Sequence, residues 1–319
     1  MTLIRLGPEA LRASRFALSP LAETLSRLIV LRLEIDGGRP GADAAALARW
    51  LDGDPFAAGL LRLVSATKYL PDFVAIPPAS MSTRLADELA VMRGFTDARA
   101  RATVAESVRF AWKTDHTGWV ETDGVAGRVA DVFARGWERF VEPDWARRRA
   151  VMERDIRHRA GVLALSGWRH AIDGVGKVRW AGPDAIRFSA QGHEDRIVGA
   201  EGLVLVPHTG TVGQWTCEDG SRIALVYPAR GALDQPRIVP GGVGRLIGAG
   251  RARILAQLRA PATPSQLAVL LGVSLGTVSG HLAALREAGV VVGRRSGRTV
   301  YYERTPLGDD LAAMTQRRM

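Results

Sequence analysis

A glycine flanked by two helix-coding runs constrains residues 263 to 289 more tightly than any other feature of the chain. Thr263-Pro264-Ser265-Gln266 supplies a hydroxyl N-cap, a proline at the first helical position and a glutamine that can reach back to the cap, together satisfying orphan amides at a helix start. Leu267, Leu270 and Leu271 follow at helical spacing, and Gly272 then offers the left-handed conformation that ends a helix without strain. Ser274 is placed to cap a second helix in which Val278, Leu282 and Leu285 form one apolar stripe, with Gly289 as the stop after Ala288. If that stripe faces inward, Leu275, Gly276, Thr277, Ser279, Gly280 and His281 occupy the remaining faces.

The next residues change period. Val290 to Arg295, a Ser296-Gly297 turn, and Arg298 to Arg304, with Val300 and Tyr302 alternating against Thr299 and Tyr301, predict a hairpin with Arg294, Arg295 and Arg298 around its tip. Two helices, a tight turn and a basic hairpin make a winged helix-turn-helix. Small and polar groups let the second helix sit deep in a DNA groove and hydrogen-bond base edges or phosphates. Guanidiniums around a glycine turn suit the phosphate backbone or a narrow minor groove.

Residues 243 to 312 resemble the ArsR/SmtB winged-helix repressors. The resemblance is carried by Ser265-Gln266-Leu267-Ala268, Val278-Ser279-Gly280-His281-Leu282 and Leu285-Arg286-Glu287-Ala288-Gly289-Val290, and continues through Gly293-Arg294-Arg295 and Gly297-Arg298-Thr299-Val300-Tyr301-Tyr302. It implies a homodimer on a double-stranded DNA operator, with Thr277, Ser279 and His281 near bases or phosphates and the wing on the flanking backbone. The full candidate DNA-contact set is Ser265, Gln266, Ser274, Thr277, Ser279, Gly280, His281, Arg294, Arg295, Arg298 and Tyr301. Gly280 departs from the family pattern, in which many members carry a long polar side chain. The metal-sensing members use cysteine pairs on the helix before the recognition helix, or Asp/His and His/Glu pairs on the last helix. Here the first of these segments has no thiol, and Leu307 to Met319 has Asp309 and Asp310 but no histidine. We therefore expect a regulator that does not answer to metal, and no cofactor.

Charge is distributed in keeping with that reading. Of a formal net charge of +10, residues 241 to 319 contribute +7, from 11 arginines against 4 acidic residues. A concentrated basic surface attracts polyanions with a salt-dependent affinity. At 319 residues the chain is long enough for two cores, and we expect an N-terminal sensor or effector domain over 1–240 and the DNA-binding and dimerisation domain over 241–319. Helices flanking the reading head, Gly244 to Leu258 and Leu307 to Arg317, are expected to form the dimer contact. One cysteine, Cys217, excludes an intrachain disulfide, and its neighbours Glu218 and Asp219 would hold a thiol protonated. There is no apolar run of spanning length and no signal-peptide profile, so the expectation is a cytoplasmic protein with no membrane partner.

The N-terminal region reads first as helices and later as strands. After a short strand at Thr2 to Leu6, helical spacing covers Ser19 to Leu33, Ala42 to Leu51, Pro55 to Thr67, Ser82 to Arg93, Gly124 to Val141 and Asp144 to Ile172. In the last of these, Arg147-Arg148-Arg149, Arg154, Arg157 and Arg159 alternate with Glu153 and Asp155, the pattern of a solvated face laced with ion pairs rather than of a second DNA contact, since the intervening acids would repel phosphate. Period-two runs at Val175 to Trp180, Ala185 to Ser189, Gly202 to Val206 and Arg222 to Tyr227 predict four strands. The order implies an α+β domain, a mixture of helices and strands preceding the winged helix-turn-helix. Trp112, Trp119, Trp137, Trp145 and Trp168 fit core packing or the lining of a pocket for an apolar small-molecule effector, and the sequence leaves both open.

Other chemistry is poorly represented. Gly174-Val175-Gly176-Lys177 lacks the earlier glycine and the hydroxyl of a phosphate loop, and the six histidines have no metal-ligand spacing. An enzyme of the small-molecule transferase type, using a winged helix only to dimerise, would carry the module first and a glycine-rich cofactor fold after it. This chain has the reverse order and no such fold, so we expect a sequence-specific repressor rather than an enzyme.

Overall fold

The computed structural model describes residues 2–38, 40–113, 118–176, 178–188, 195–211, 213–220, 222–230, 242–258, 261–296 and 299–316. The chain divides into two compact units, one of Met1–Trp145 with Arg159–Ala232, the other of Ala146–His158 with Leu233–Met319. The fold is α+β. No single helix among the described residues is long and apolar enough to cross a membrane.

The first unit contains β1 (Thr2–Arg5), α1 (Pro8–Ala13), β2 (Arg15–Phe16), α2 (Pro20–Asp36), α3 (Ala42–Asp52), α4 (Pro55–Val64), α5 (Leu85–Arg93), α6 (Asp97–Arg109) and α7 (Val125–Phe140). Helix α8 (Trp145–Ile172) follows, then β3 (Val178–Trp180), β4 (Ala185–Phe188), β5 (Arg196–Ile197), β6 (Leu203–His208), β7 (Trp215–Asp219) and β8 (Arg222–Pro228). Two four-stranded sheets result, ordered β3-β4-β1-β5 and β2-β6-β8-β7. In the second sheet β2, β6 and β8 run parallel and β7 closes the edge antiparallel to β8.

Strand periodicity explains why both faces of this second sheet carry apolar residues. Val204, Val206, Ala224, Val226, Trp215 and Cys217 join the helical core formed by α2, α3, α4 and α7. Leu203, Leu205, Ile223, Leu225 and Tyr227 point the other way, onto Ile4, Ile186 and Phe188 of the first sheet. A sheet covered on both faces can bury every residue of β6, and it does.

Helix starts follow their capping signals. Ser19 accepts from Ala22 N, Asp54 from Ala57 N and Thr96 from Arg99 N. The helix at Asp97–Arg109, absent from the sequence expectation, buries only Ala100, Val104 and Ser107, so its apolar signal is faint and its Thr96 cap is the clearer mark. Strands β2, β5 and β7 also go beyond the four expected; two of them are two residues long, and β7 reads Trp-Thr-Cys-Glu-Asp. The expected strand at Val175 shortens to Val178–Trp180, because residues 173–176 form a turn.

Polar groups are buried within this unit; His208 and Glu88 are partnered, whereas Trp119 Nε1 has no hydrogen-bond partner among the described residues. His208 is fully buried; its Nε2 lies 2.8 Å from the Gly213 carbonyl, which can only accept, so Nδ1 is the acceptor for Ser26 Oγ at 2.8 Å and Gly210 N at 3.1 Å. Burial holds this imidazole in its neutral form by lowering its pKa. Glu88 accepts from Ser19 Oγ at 2.5 Å and from Leu21 N at 2.8 Å, yet burial outweighs these donors and pushes its carboxyl up to about 8. Burial, and then the proximity of Glu88, raise the Cys217 thiol, so the acid that matters is one distant in sequence rather than Glu218 or Asp219.

The second unit contains α9 (Gly242–Ile247), α10 (Ala249–Gln257), α11 (Pro264–Leu271), α12 (Leu275–Glu287), β9 (Val291–Ser296), β10 (Thr299–Arg304) and α13 (Pro306–Gln316). The single helix expected over Gly244 to Leu258 is in fact two, broken at Gly248, whose φ of 86° is not helical. Residues 146–158 also belong to this unit, although the sequence analysis groups them with the N-terminal region.

Because Glu88 is protonated more readily folded than unfolded, the folded state binds the extra proton between about pH 4.5 and about pH 8, and stability declines as pH rises through that window. All eight tryptophans lie in the first unit, so urea unfolding followed by tryptophan fluorescence reports on it. The parent is expected to lose stability from pH 5 to pH 8 relative to Glu88→Gln, and parallel pH profiles for the two would contradict this.

Candidate nucleic-acid interface

The second unit is held by Ile254, Leu255 and Leu258 of the first helical layer, Leu267 and Leu271 of α11, and Val278, Leu282 and Leu285 of α12, closed by Val290, Val291 and Ala312. Each fully buried aliphatic side chain contributes about 1.5 to 3 kcal/mol. Thr263 and Gln266 form the expected reciprocal cap, with Gln266 N donating to Thr263 Oγ1 at 3.2 Å and Thr263 N donating to Gln266 Oε1 at 3.0 Å. Gly272 closes α11 in the left-handed region at φ 64°. Ser274 then caps α12, accepting from Thr277 N at 3.1 Å and sharing a 2.8 Å hydrogen bond with the Thr277 hydroxyl.

These constraints fix the rotation of α12. At 100° per residue, the buried stripe of Val278, Leu282 and Leu285 places Gly276, Gly280, Ala283 and Glu287 on the opposite side, all exposed. Thr277 flanks this face on one side and Ser279 on the other, both exposed, while the exposed Arg286 lies nearer the buried stripe than the face centre. Over its first two turns the face centre is made of residues with almost no side chain, so the backbone of α12 can approach a groove closely there, while the acid Glu287 ends the face at the last helical residue. Gly280 falls into place as part of that smooth centre. Ala283 and Glu287, outside the expected contact set, share the face; the helical period could have found them.

His281 is turned away from this face. It is half-buried, and a Cβ added at Gly250 of α10 would lie 2.5 Å from its Nε2, so its ring packs against α10. Ser265 is exposed at the first turn of α11, whereas the Gln266 side chain is engaged in the cap.

The wing pairs Tyr301 with Arg294, Val300 with Arg295 and Tyr302 with Gly293. Alternation puts Arg294, Tyr301 and Glu303 on one face, where Arg294 is ion-paired with Glu303. Arg295 belongs to the opposite face, so the arginines do not form one cluster. Arg298 lies outside the described residues. Ala262 adds a bridge to Tyr302, with hydrogen bonds of 2.9 and 3.0 Å in the two directions, and Tyr302 packs on the core. Arg304 anchors the base, donating to Leu255 O at 2.8 Å and pairing with Asp309 at 3.2 Å.

Residues Ala146–His158 contribute to the same unit. Arg154 Nη1 donates to Gln257 Oε1 at 2.7 Å, and the Arg157 guanidinium lies 5.9 Å from the centre of the Tyr301 ring. The expected ion pairs are present, Arg149 to Glu153 at 2.8 Å and Arg157 to Glu153 at 3.8 Å. The expectation of a solvated face is not met, because Asp155 and Arg159 are 2% and 3% exposed. Arg159, in the first unit, donates to Ala171 O at 2.9 Å and lies over the Tyr227 ring, which accounts for its burial.

Among the described residues no group of three or more His, Cys, Asp or Glu is placed to hold a metal ion. In the first unit, Trp119 packs edge-on against Phe56 and over Gly59, whereas Trp112 is 60% exposed.

Residues 251–294 match a family model described as a helix-turn-helix domain. The match runs from α10 through both helices of the turn to Arg294 in β9. No curated protein matches the chain. The C-terminal part of the chain thus carries a helix-turn-helix domain.

Replacing Thr263 with Ala is expected to destabilise the second unit by about 1 kcal/mol, and Gly272→Ala by about 1 to 2 kcal/mol through left-handed strain. Amide hydrogen exchange in α11 measures both, and protection equal to that of the parent would contradict the capping scheme.

Proposed function

We propose that the protein is a sequence-specific DNA-binding transcriptional regulator, a repressor of the ArsR/SmtB kind that acts as a homodimer and does not respond to metal. The observation that carries this reading is the outward face of α12. Gly276, Gly280 and Ala283 allow close approach to a major groove, and Thr277 and Ser279 edge that face with hydrogen-bonding groups. The wing supplies Arg294 and Arg295, and the last quarter of the chain carries most of the net positive charge.

Dimerisation follows from the need to present two recognition helices to half-sites about one helical turn of DNA apart. Leu246 on α9 and Leu307 on α13 are 80% and 51% exposed on helices that pack against each other, an apolar pair suited to a second copy. Metal sensing is set aside because α11 has no thiol and Leu307 to Met319 no histidine. In this reading the chain acts by binding and not by catalysis, and the first unit supplies the regulatory input, an apolar small molecule being the class its tryptophan-rich core favours.

Selection of genomic fragments by the full chain at moderate salt tests the reading. Arg294→Ala and Arg298→Ala are expected to weaken binding to all sequences and to reduce the salt slope by about 0.9 per lost phosphate contact. Thr277→Ala and Ser279→Ala are expected to change which fragments are preferred. Equal losses on selected and random DNA for all four variants would contradict the assignment, and so would a chain that retains no DNA.

A further inference from the structure

Three donors of the second unit converge on one carboxylate. Arg149 Nε lies 2.8 Å from Glu153 Oε1, Arg157 Nη1 lies 3.8 Å from Oε2, and Gln266 Nε2, on the first turn of α11, lies 3.5 Å from the same oxygen. Arg157 Nε, also buried, has no hydrogen-bond partner among the described residues. Two guanidiniums and an amide around an oxyanion make a site for any compact anion, and bidentate guanidinium contact suits a phosphate diester as well as a carboxylate. Two features tie this site to the reading head. Gln266 belongs to the capped turn that opens the helix-turn-helix, and Arg157 lies over Tyr301 of the wing, on the strand face that also carries Arg294.

We propose that Glu153 is an internal competitor for a DNA phosphate: its carboxylate fills an anion site formed by Arg149, Arg157 and Gln266 that the sugar-phosphate backbone takes over when DNA binds. The inference rests on the DNA-binding reading given above. With Glu153 in place, its carboxylate offsets one of the two guanidinium charges and occupies their donors, so the site attracts an approaching polyanion less than the two arginines alone would. When the carboxylate withdraws, the same groups add one phosphate contact beside the start of α11. Glu153 therefore sets the resting affinity of the reading head below the value its arginines would give. The helix that carries it continues, from Arg159 onward, as part of the first unit, so the competitor is covalently linked to the region assigned the regulatory input.

The test uses the full chain and a labelled genomic fragment that the parent selects, titrated between about 50 and 200 mM salt. Glu153→Gln keeps the shape and removes the charge. It is expected to bind about tenfold more tightly at the low-salt end, the weight of one hydrogen bond to a charged group, with a salt slope steeper by about 0.9. Adding Arg157→Gln to that variant is expected to abolish the gain. Glu153→Ala serves the same comparison if the glutamine variant does not fold. Parent-like or weaker binding by Glu153→Gln, with an unchanged slope, would overturn this inference and leave the DNA-binding reading intact. A gain that survives Arg157→Gln would overturn the shared anion site. Loss of all DNA binding by the folded parent would overturn both readings together.

Discussion

The contact of Val278, Leu282 and Leu285 with Ile254, Leu255, Leu267 and Leu271 decides what the second unit can show to a partner. It removes the apolar third of α12 from water and, in doing so, fixes the rotation of the helix, since any turn of it would expose one of these side chains at a cost of about 1.5 to 3 kcal/mol. The caps at Thr263 and Ser274 and the left-handed Gly272 set where α11 ends and α12 begins, so the stripe and the caps together allow one register. Everything attributed to the outward face, the glycine and alanine centre and its polar edges, is a consequence of that inward packing. The wing depends on it too, because Tyr302 and the Ala262 bridge reach the same core from β10.

The first unit obeys a different constraint. Its parallel strands β6 and β8 are covered on both faces, which accounts for their largely apolar character and for the partnered burial of His208 at the end of β6. Buried polar groups of this kind are high-stakes, since each must keep its donors or acceptors as the core moves. A region with a partly protonated acid at its centre is sensitive to its surroundings in a way that an all-apolar core is not.

The sequence was legible where the signals are local. Thr263, Gly272, Ser274 and Gly289 mark the turn and the helix ends at the residues where the structure puts them, and Ser19, Asp54 and the period-two runs of β4, β6 and β8 do the same in the first unit. It was less legible where contacts are distant. The pairing of β2 with β6 and of β1 with both β4 and β5 joins residues nearly the length of the unit apart. The break at Gly248 divides what the apolar spacing joins. The rotation of His281 toward Gly250 depends on the absence of a side chain on a different helix, and Arg294 and Arg295 part company only once the strand pleat is considered. Least legible of all was the place of Ala146–His158: its alternating charges read as a solvated face, whereas Glu153 and Arg157 reach Gln266 and Tyr301, more than 100 residues away in sequence.

The account stands most directly on the claim that the outward face of α12 is the surface that meets DNA. Hydrogen–deuterium exchange of the full chain, alone and saturated with a genomic fragment it selects, tests that claim at peptide resolution. The account predicts new protection over residues 274–286 and over the wing from 291 to 304, with the buried strands of the first unit unchanged. Saturating DNA that leaves residues 274–286 exchanging as in the free protein would contradict it.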